Sequence, residues 1–300
     1  MVMSIKRILV CHAEGIGNAI ELSPCLRTLK EVLGLELIYH HAFGTLNRNN
    51  NSNIFPYVVN DNYHISGISK FLTGCDGLVA TFWARDVITH APFNQIKLLN
   101  DIKPLSMYRS EVDTYMDIAR DLGVPEEKLI YEAECNYNKV DDYFDVVVAN
   151  GYNRSGAANW SVKGYPGYPK VVDLLIEHGV SVCSVGAKNE YVEGTKDMTG
   201  LNLLDSFGVI KNAKCLLAND SGMYHAANAL KTPTIVLFTA TSIEKNRDSR
   251  FHRYSKVLGR DDLKCRPCQD KRRWNKDCKK WKCQDIDPIH VFSMVMGELK

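Results

Sequence analysis

The stretch Cys215-Leu-Leu-Ala-Asn-Asp-Ser-Gly-Met-Tyr-His-Ala-Ala-Asn-Ala-Leu-Lys-Thr-Pro-Thr-Ile-Val-Leu-Phe-Thr-Ala-Thr-Ser242 decides the fold. A short apolar run, Cys215 to Ala218, breaks at Asn219-Asp220-Ser221-Gly222, and a small-residue helix is expected from Met223 to Leu230. Lys231-Thr232-Pro233 ends that helix, and Thr234 to Phe238 reads as a fully buried strand of the parallel type. Strand, tight turn, helix and strand in this order place the turn at the carboxyl edge of a sheet, where open α/β folds bind ligands.

Asp220 or Ser221 can cap the helix, and the backbone N–H groups around Gly222 and Met223 point outward with the positive end of the helix dipole. A phosphate fits there without side-chain charge, and His225 in the first turn can add an N–H donor. A plain capped helix with a half-buried histidine has the same local pattern. Gly222, His225 and the small run Ala226-Ala227-Asn228-Ala229, which lets the helix pack closely on a sheet, favour the ligand site. The ordered set Asn219 to Ala227, then Thr232-Pro233 and an apolar strand, resembles the signature of glycosyltransferase family 9, the heptosyltransferase-like enzymes of lipopolysaccharide core synthesis.

Three hundred residues, 45% of them apolar, suit two domains of roughly 150 residues each. The net charge of +2 hides an uneven distribution: Arg260 to Cys283 carries ten Lys/Arg against four Asp, so a mildly acidic body bears one basic appendage. The apolar run at Ile8 to Cys11 is far too short for a signal-peptide core, and no stretch approaches a membrane span. Cys11, Cys25, Cys75, Cys135, Cys183 and Cys215 are scattered singly, as thiols used for core packing in a reducing cytoplasm would be.

Arg7 to His12 is the expected first strand, followed by Ala13-Glu14-Gly15-Ile16-Gly17-Asn18 and a helix from about Ala19 to Leu33 that Pro24 should kink. Ile20 stands where a dinucleotide fingerprint needs its third glycine. Family 9 opens in a similar way, and the resemblance gives Gly15 and Gly17 a place at the donor. The family usually has an aspartate after the second glycine, at or beside the catalytic base; here that residue is Asn18, whose amide cannot take a proton near neutral pH. Glu14 and Glu21 are then the candidate bases, and for each a solvated surface carboxylate is the alternative.

Further strands are expected at Leu35 to Tyr39 and Gly77 to Trp83, with a polar, Asn-rich loop from His40 to Asn62 between them. Arg85 and His90, just past the second of these, are candidates for acceptor contact. A helix from Glu111 to Leu122 closes with Gly123 and Pro125, and the linker falls around Tyr131 to Tyr143. A second series follows: strand Asp145 to Ala149, helix Pro169 to His178, strand Val180 to Val185 and helix Leu203 to Asn212. By the resemblance, Lys163 (or Arg154) neutralises the leaving diphosphate, and Lys188 stands where a family carboxylate contacts the nucleoside, with Glu190 two residues on.

Cys265, Cys268, Cys278 and Cys283 form C-x2-C-x9-C-x4-C, whose first pair has zinc-knuckle spacing. A structural zinc is the preferred reading, with disulfides or unligated thiols as alternatives. The Lys/Arg run interleaved with Trp274 and Trp281 could also be a nucleic-acid footprint; the alternative is a solvated basic loop, or one that meets the phosphorylated core of lipopolysaccharide.

The resemblance implies an α/β protein of GT-B type, two Rossmann-like domains with parallel sheets facing across a cleft, plus the Cys-rich basic appendage. Residues 1–138 form the acceptor domain, 139–285 the donor domain including the basic segment 260–285, and 286–300 a terminal helix. It implies metal-independent, inverting transfer of a hexosyl, heptosyl or pentosyl group from a nucleotide diphosphate-sugar to a hydroxyl of a lipopolysaccharide-type glycan. Peripheral contact with a membrane is compatible with such an acceptor. Two alternatives remain: glycosylation of a hydroxymethylated DNA base, as in some bacteriophage enzymes, and a non-catalytic protein that binds a nucleotide or nucleic acid.

Overall fold

The computed structural model describes residues 6–12, 15–41, 54–60, 75–80, 97–101, 108–152, 160–268 and 281–300. The chain divides into two compact units, Met1–Asn136 and Tyr137–Lys300.

The first unit is built on a parallel sheet of β1 (Arg7–His12), β2 (Glu36–His41), β3 (Val59–Asn60), β4 (Gly77–Ala80) and β5 (Lys97–Asp101), in the order β3-β2-β1-β4-β5. Central strand β1 is buried from Ile8 to His12, as expected of a strand covered on both faces. Helix α1 (Ile16–Leu33) begins three residues earlier than its small-residue start suggests and runs through Pro24. Proline lacks the N–H that would bond the Ile20 carbonyl, and the Ser23 hydroxyl donates to that oxygen instead, at 2.6 Å. Gly34 then ends the helix at φ 67°, a left-handed cap that favours glycine.

Helix α2 (Glu111–Asp121) starts at Ser110, whose hydroxyl accepts from the Asp113 N–H at 2.9 Å. It packs on α1 and buries Val112, Tyr115, Met116, Ile118 and Ala119. Arg120 bonds Asp113, Asp117, Glu126 and Tyr131, fastening the connection that leaves the unit.

The second unit carries β6 (Val146–Ala149), β7 (Val182–Gly186), β8 (Lys196–Thr199), β9 (Cys215–Asn219), β10 (Thr234–Phe238) and β11 (Ser255–Gly259), all parallel, in the order β11-β10-β9-β6-β7-β8. The helices are α3 (Tyr168–Glu177), α4 (Leu203–Asn212), α5 (Gly222–Ala229), the short α6 (Ile243–Asn246) and α7 (Pro288–Glu298). One core joins Val146, Val148, Leu217, Ile235 and Leu237 of the sheet to Val171, Val172 and Leu175 of α3 and Val291 and Val295 of α7. Each such side chain contributes about 1.5–3 kcal/mol on burial.

Gly208 lets α4 touch the chain that enters this unit: a Cβ there would collide with the Asn138 carbonyl oxygen. Asn138 N–H also bonds the Leu204 carbonyl at 3.0 Å. The six singly placed cysteines are all buried and unbridged, and burial pushes Cys11, Cys25, Cys135, Cys183 and Cys215 up to about 12. Among the described residues, no helix is long and apolar enough to cross a membrane.

Candidate donor site and the family it defines

The sheet order of the second unit reverses between β6 and β9, neighbours from opposite ends of the winding. Past their carboxyl ends, Asn219 Nδ2 donates to the Asn150 carbonyl at 2.8 Å and Tyr168 donates to Asn219 Oδ1 at 3.0 Å. These bonds fix the turn that leads into α5.

At that turn Ser221 is the N-cap in extended conformation, and no side chain caps the helix. The sequence suggested a cap from Asp220 or Ser221. Asp220 instead turns its carboxylate inward, where Oδ2 accepts from Asn246 Nδ2 at 2.7 Å and stands 3.2 Å from Lys163 Nζ. The Tyr224 and His225 N–H groups bond the Ser221 carbonyl at 3.1 and 3.4 Å, which leaves the amides of Gly222 and Met223 to meet an incoming anion. Lys163 also donates to the Asp220 carbonyl at 2.9 Å and lies over the Trp160 ring at 5.3 Å. Its short helical turn, Ser161–Lys163, is tied to the loop after β10 by Thr239, whose hydroxyl donates to the Val162 carbonyl at 2.7 Å.

Asp220 is almost completely buried. Burial alone would raise its pKa, but Lys163 first, then His225 and Thr241, outweigh that and hold the carboxyl well below the usual carboxylate range. His225, also buried, has Nε2 3.7 Å from Asp220 Oδ1 and Nδ1 2.9 Å from His252 Nε2. Asp220, Ser221, Gly222, His225 and Lys163 therefore come together at one strand–helix corner, and Asn246 and His252 join them. Sequence reading singled out neither of the last two.

Lys188 and Glu190 lie on a helical turn after β7, with Lys188 exposed. Glu190 accepts from the Ala187 N–H at 2.9 Å, and its carboxylate lies so close to Gly151 and Gly186 that a side chain at either glycine would displace it. Gly186 ends β7 and Gly151 follows the end of β6 by two residues, so Glu190 stands on the same sheet edge as the corner.

In the first unit Gly15 is the N-cap of α1, again without a side-chain cap, and Gly17 and Asn18 fall in its first turn. Asn18 Nδ2 donates to Glu111 Oε1, which also accepts from the Tyr115 hydroxyl at 2.9 Å. Glu111 is buried, and the sequence had marked it only as a helix start. Glu21, one turn beyond Asn18, is buried as well, in place of the solvated carboxylate that was its alternative. Glu14, Arg85, His90, Arg154 and Cys278 lie outside the described residues, as does the basic run 269–280. Of the remaining tail cysteines, Cys265 is exposed, while Cys268 and Cys283 are buried in a small cluster with Val162 and Ala240; none of the three is bridged.

Two parallel α/β units, with an uncapped helix start flanked by a lysine and a histidine at the switch point of the second, define a GT-B glycosyltransferase. The model of glycosyltransferase family 9 (heptosyltransferase) matches residues 106–279, and the chain belongs to that family. Among solved structures, it is similar to the family 9 glycosyl transferase of Veillonella parvula DSM 2008, with 16% identity over 100% of this chain and 98% of that one and a TM-score of 0.70. It is similar also to the E. coli ADP-heptose LPS heptosyltransferase II, with 16% identity over 98% of both chains and a TM-score of 0.67. E. coli heptosyltransferase WaaC, solved with ADP-2-deoxy-2-fluoro heptose, gives 13% identity over 84% of this chain and 92% of that one, with a TM-score of 0.58. At such identities the likeness shows the fold. No curated protein sequence matches the chain.

Proposed function

We propose that this glycosyltransferase moves a sugar, with inversion and without a catalytic metal, from a nucleotide diphosphate-sugar to a hydroxyl of a lipopolysaccharide-type glycan. The observation that carries this is the uncapped start of α5 between Lys163 and His225. There a departing diphosphate meets backbone N–H groups, the helix dipole, one ammonium and one imidazole, all set before the reaction begins. Glu190, on the same sheet edge, is the candidate carboxylate for the nucleoside ribose, and Lys188 is exposed beside it. An ADP-sugar is the first donor to test, because WaaC was solved with one.

Asn18 cannot act as the base, so a carboxylate must. Glu14 and Glu21 are the candidates by sequence, and Glu111 joins them through its bond to the Asn18 amide. Gly15 and Gly17 keep the chain before and within the first turn of α1 free of side chains that would crowd a sugar.

The tail cysteines are assigned to a structural metal site formed by Cys265, Cys268, Cys278 and Cys283. A set of four thiolates suits zinc or iron, and Cys268 and Cys283 pack in one small apolar cluster.

The test is turnover. Purified protein is mixed with ADP-heptose and a deacylated lipopolysaccharide core, and products are read by mass spectrometry and anomeric configuration by NMR. A new glycoside of inverted configuration is expected. Binding of nucleotide without transfer to any glycan would reduce the protein to a non-catalytic binder. Failure to bind any nucleoside diphosphate would overturn the reading.

A further inference from the structure

The histidine of the donor corner is held by a second histidine, and the hydrogen bonds fix where each proton sits. The Asp248 backbone N–H points at His252 Nδ1 at 2.9 Å. A backbone N–H can only donate, so Nδ1 of His252 presents a lone pair, and the proton of this neutral imidazole is on Nε2. That nitrogen lies 2.9 Å from His225 Nδ1, which must therefore accept. The proton of His225 is left on Nε2, the nitrogen that stands 3.7 Å from Asp220 Oδ1 at the start of α5.

The surroundings keep His252 in this role. Its ring is fully buried, stacks on Tyr224 with centroids 4.8 Å apart and planes 14° apart, and meets Phe251 edge-on at 4.7 Å. The turn that supplies the donating N–H is closed by His252 N–H to the Asp248 carbonyl at 2.6 Å. Asp248 is itself bound through its carboxylate to the backbone and guanidinium of Arg250. Burial above all keeps the His252 pKa well below its ordinary value, in line with a neutral ring.

We propose that His252 is a positioning residue for the donor diphosphate: it locks His225 as the Nε2–H tautomer, so that the imidazole turns an N–H towards Asp220 and the start of α5, where the diphosphate binds. A proton on His225 Nδ1 would face the N–H of His252 head-on, so the pairing selects against the other tautomer. The inference rests on the diphosphate reading of this corner. Its logic is that of the outer partners of metal-bound histidines, which fix tautomer and ring orientation from behind.

Proton–nitrogen correlation spectra of the unliganded, isotope-labelled protein read the tautomer directly, and ADP titration by calorimetry reads the consequence. The wild-type protein should show His225 protonated on Nε2 at neutral pH. His252→Met should let His225 sample both tautomers and weaken ADP binding by about 10-fold, the lower edge of what losing such a partner costs. His252→Gln, which can still present an N–H, should restore the tautomer and most of the affinity, an effect that simple cavity filling would not give. Wild-type His225 protonated on Nδ1, or doubly protonated at neutral pH, overturns the proposal, and this reading needs no variant to fold. So does a folded His252→Met protein that binds ADP like wild type. The predicted tautomer in a protein that binds no nucleoside diphosphate would leave the histidine pairing intact but refute the diphosphate reading, and with it the positioning role.

Discussion

Replacing Lys163 with Met should separate what this lysine does for the fold from what it does for transfer. Its ammonium stands 3.2 Å from Asp220 Oδ2, and the two side chains are 18% and 2% exposed. Removing one partner of a buried ion pair costs about 3–5 kcal/mol, because the other charge stays behind without water. Asn246 and His225 still face Asp220, so the lower end, about 3 kcal/mol, is expected in urea unfolding. Adding Asp220→Asn removes the stranded charge, and the double variant should recover to within about 1 kcal/mol of wild type. Its transfer rate should not recover, because the ammonium that meets the leaving diphosphate is gone; a loss of roughly 10²–10³ in kcat is expected. The pH dependence has a definite sign. In the wild type Asp220 has a depressed pKa, so its contribution is present above the ordinary carboxylate range and is lost as pH falls through the folded value. In Lys163→Met the largest lowering influence is gone while burial remains, so that pKa should rise and the variant's deficit should be largest near neutral pH and shrink in acid. A deficit that Asp220→Asn leaves unchanged, or a double variant with normal kcat, would refute the reasoning.

Asp145 is held at about 2 by Lys214 first and then by the N–H and hydroxyl of Ser181, so its contribution is present above the ordinary carboxylate range and is lost as pH falls through about 2. Asp145→Asn should therefore cost about 1–2 kcal/mol at neutral pH and nothing in strong acid, as followed by urea unfolding across pH. Gly208→Ala should destabilise by about 2 kcal/mol or more in thermal melts, because its Cβ would strike the Asn138 carbonyl, whereas Gly297→Ala in α7 meets open space and should gain up to about 1 kcal/mol. Glu111→Gln should fold and bind ADP-sugar normally; if Glu111 is the base, kcat alone falls by about 10²-fold or more, and an unchanged kcat removes it from the candidates. Native mass spectrometry should find one zinc or iron per chain, removed by chelators and absent from Cys268→Ser, while a metal-free chain with freely titrating tail thiols would end the metal reading.

What the sequence made legible follows from which physical signals are local. Thr234–Phe238 and Leu203–Asn212 were readable to the residue, because a continuous apolar run and a capped amphipathic helix carry their own pattern. β8, Lys-Asp-Met-Thr at Lys196–Thr199, was missed because it is an edge strand, half exposed, with no apolar run to mark it. β11 at the other edge, Ser255–Gly259, escaped for the same reason. The site divides along the same line. Asp220, Ser221, Gly222 and His225 were visible because one strand–helix turn needs them at fixed spacing. His252 lies 27 residues from His225, and only the return of the chain through β10 brings a nitrogen of each ring to 2.9 Å from the other. No spacing rule encodes that meeting.

Asn18 and Glu111 make the same point about chemistry. Seen in sequence, Asn18 is a lost acid, which weighs towards an inactive protein. Seen in the fold, its amide is bonded to a buried carboxylate 93 residues away, which a tyrosine hydroxyl also holds. A buried carboxylate is costly to keep unless partners offset its desolvation, so Asn18 and Tyr115 stabilise Glu111 there whatever its role. An aspartate at position 18 would put two carboxylates within hydrogen-bond distance, where like charges repel. Asparagine therefore suits Glu111 as a neighbour, and its presence at the helix start is compatible with a relocated acid as well as with a missing one.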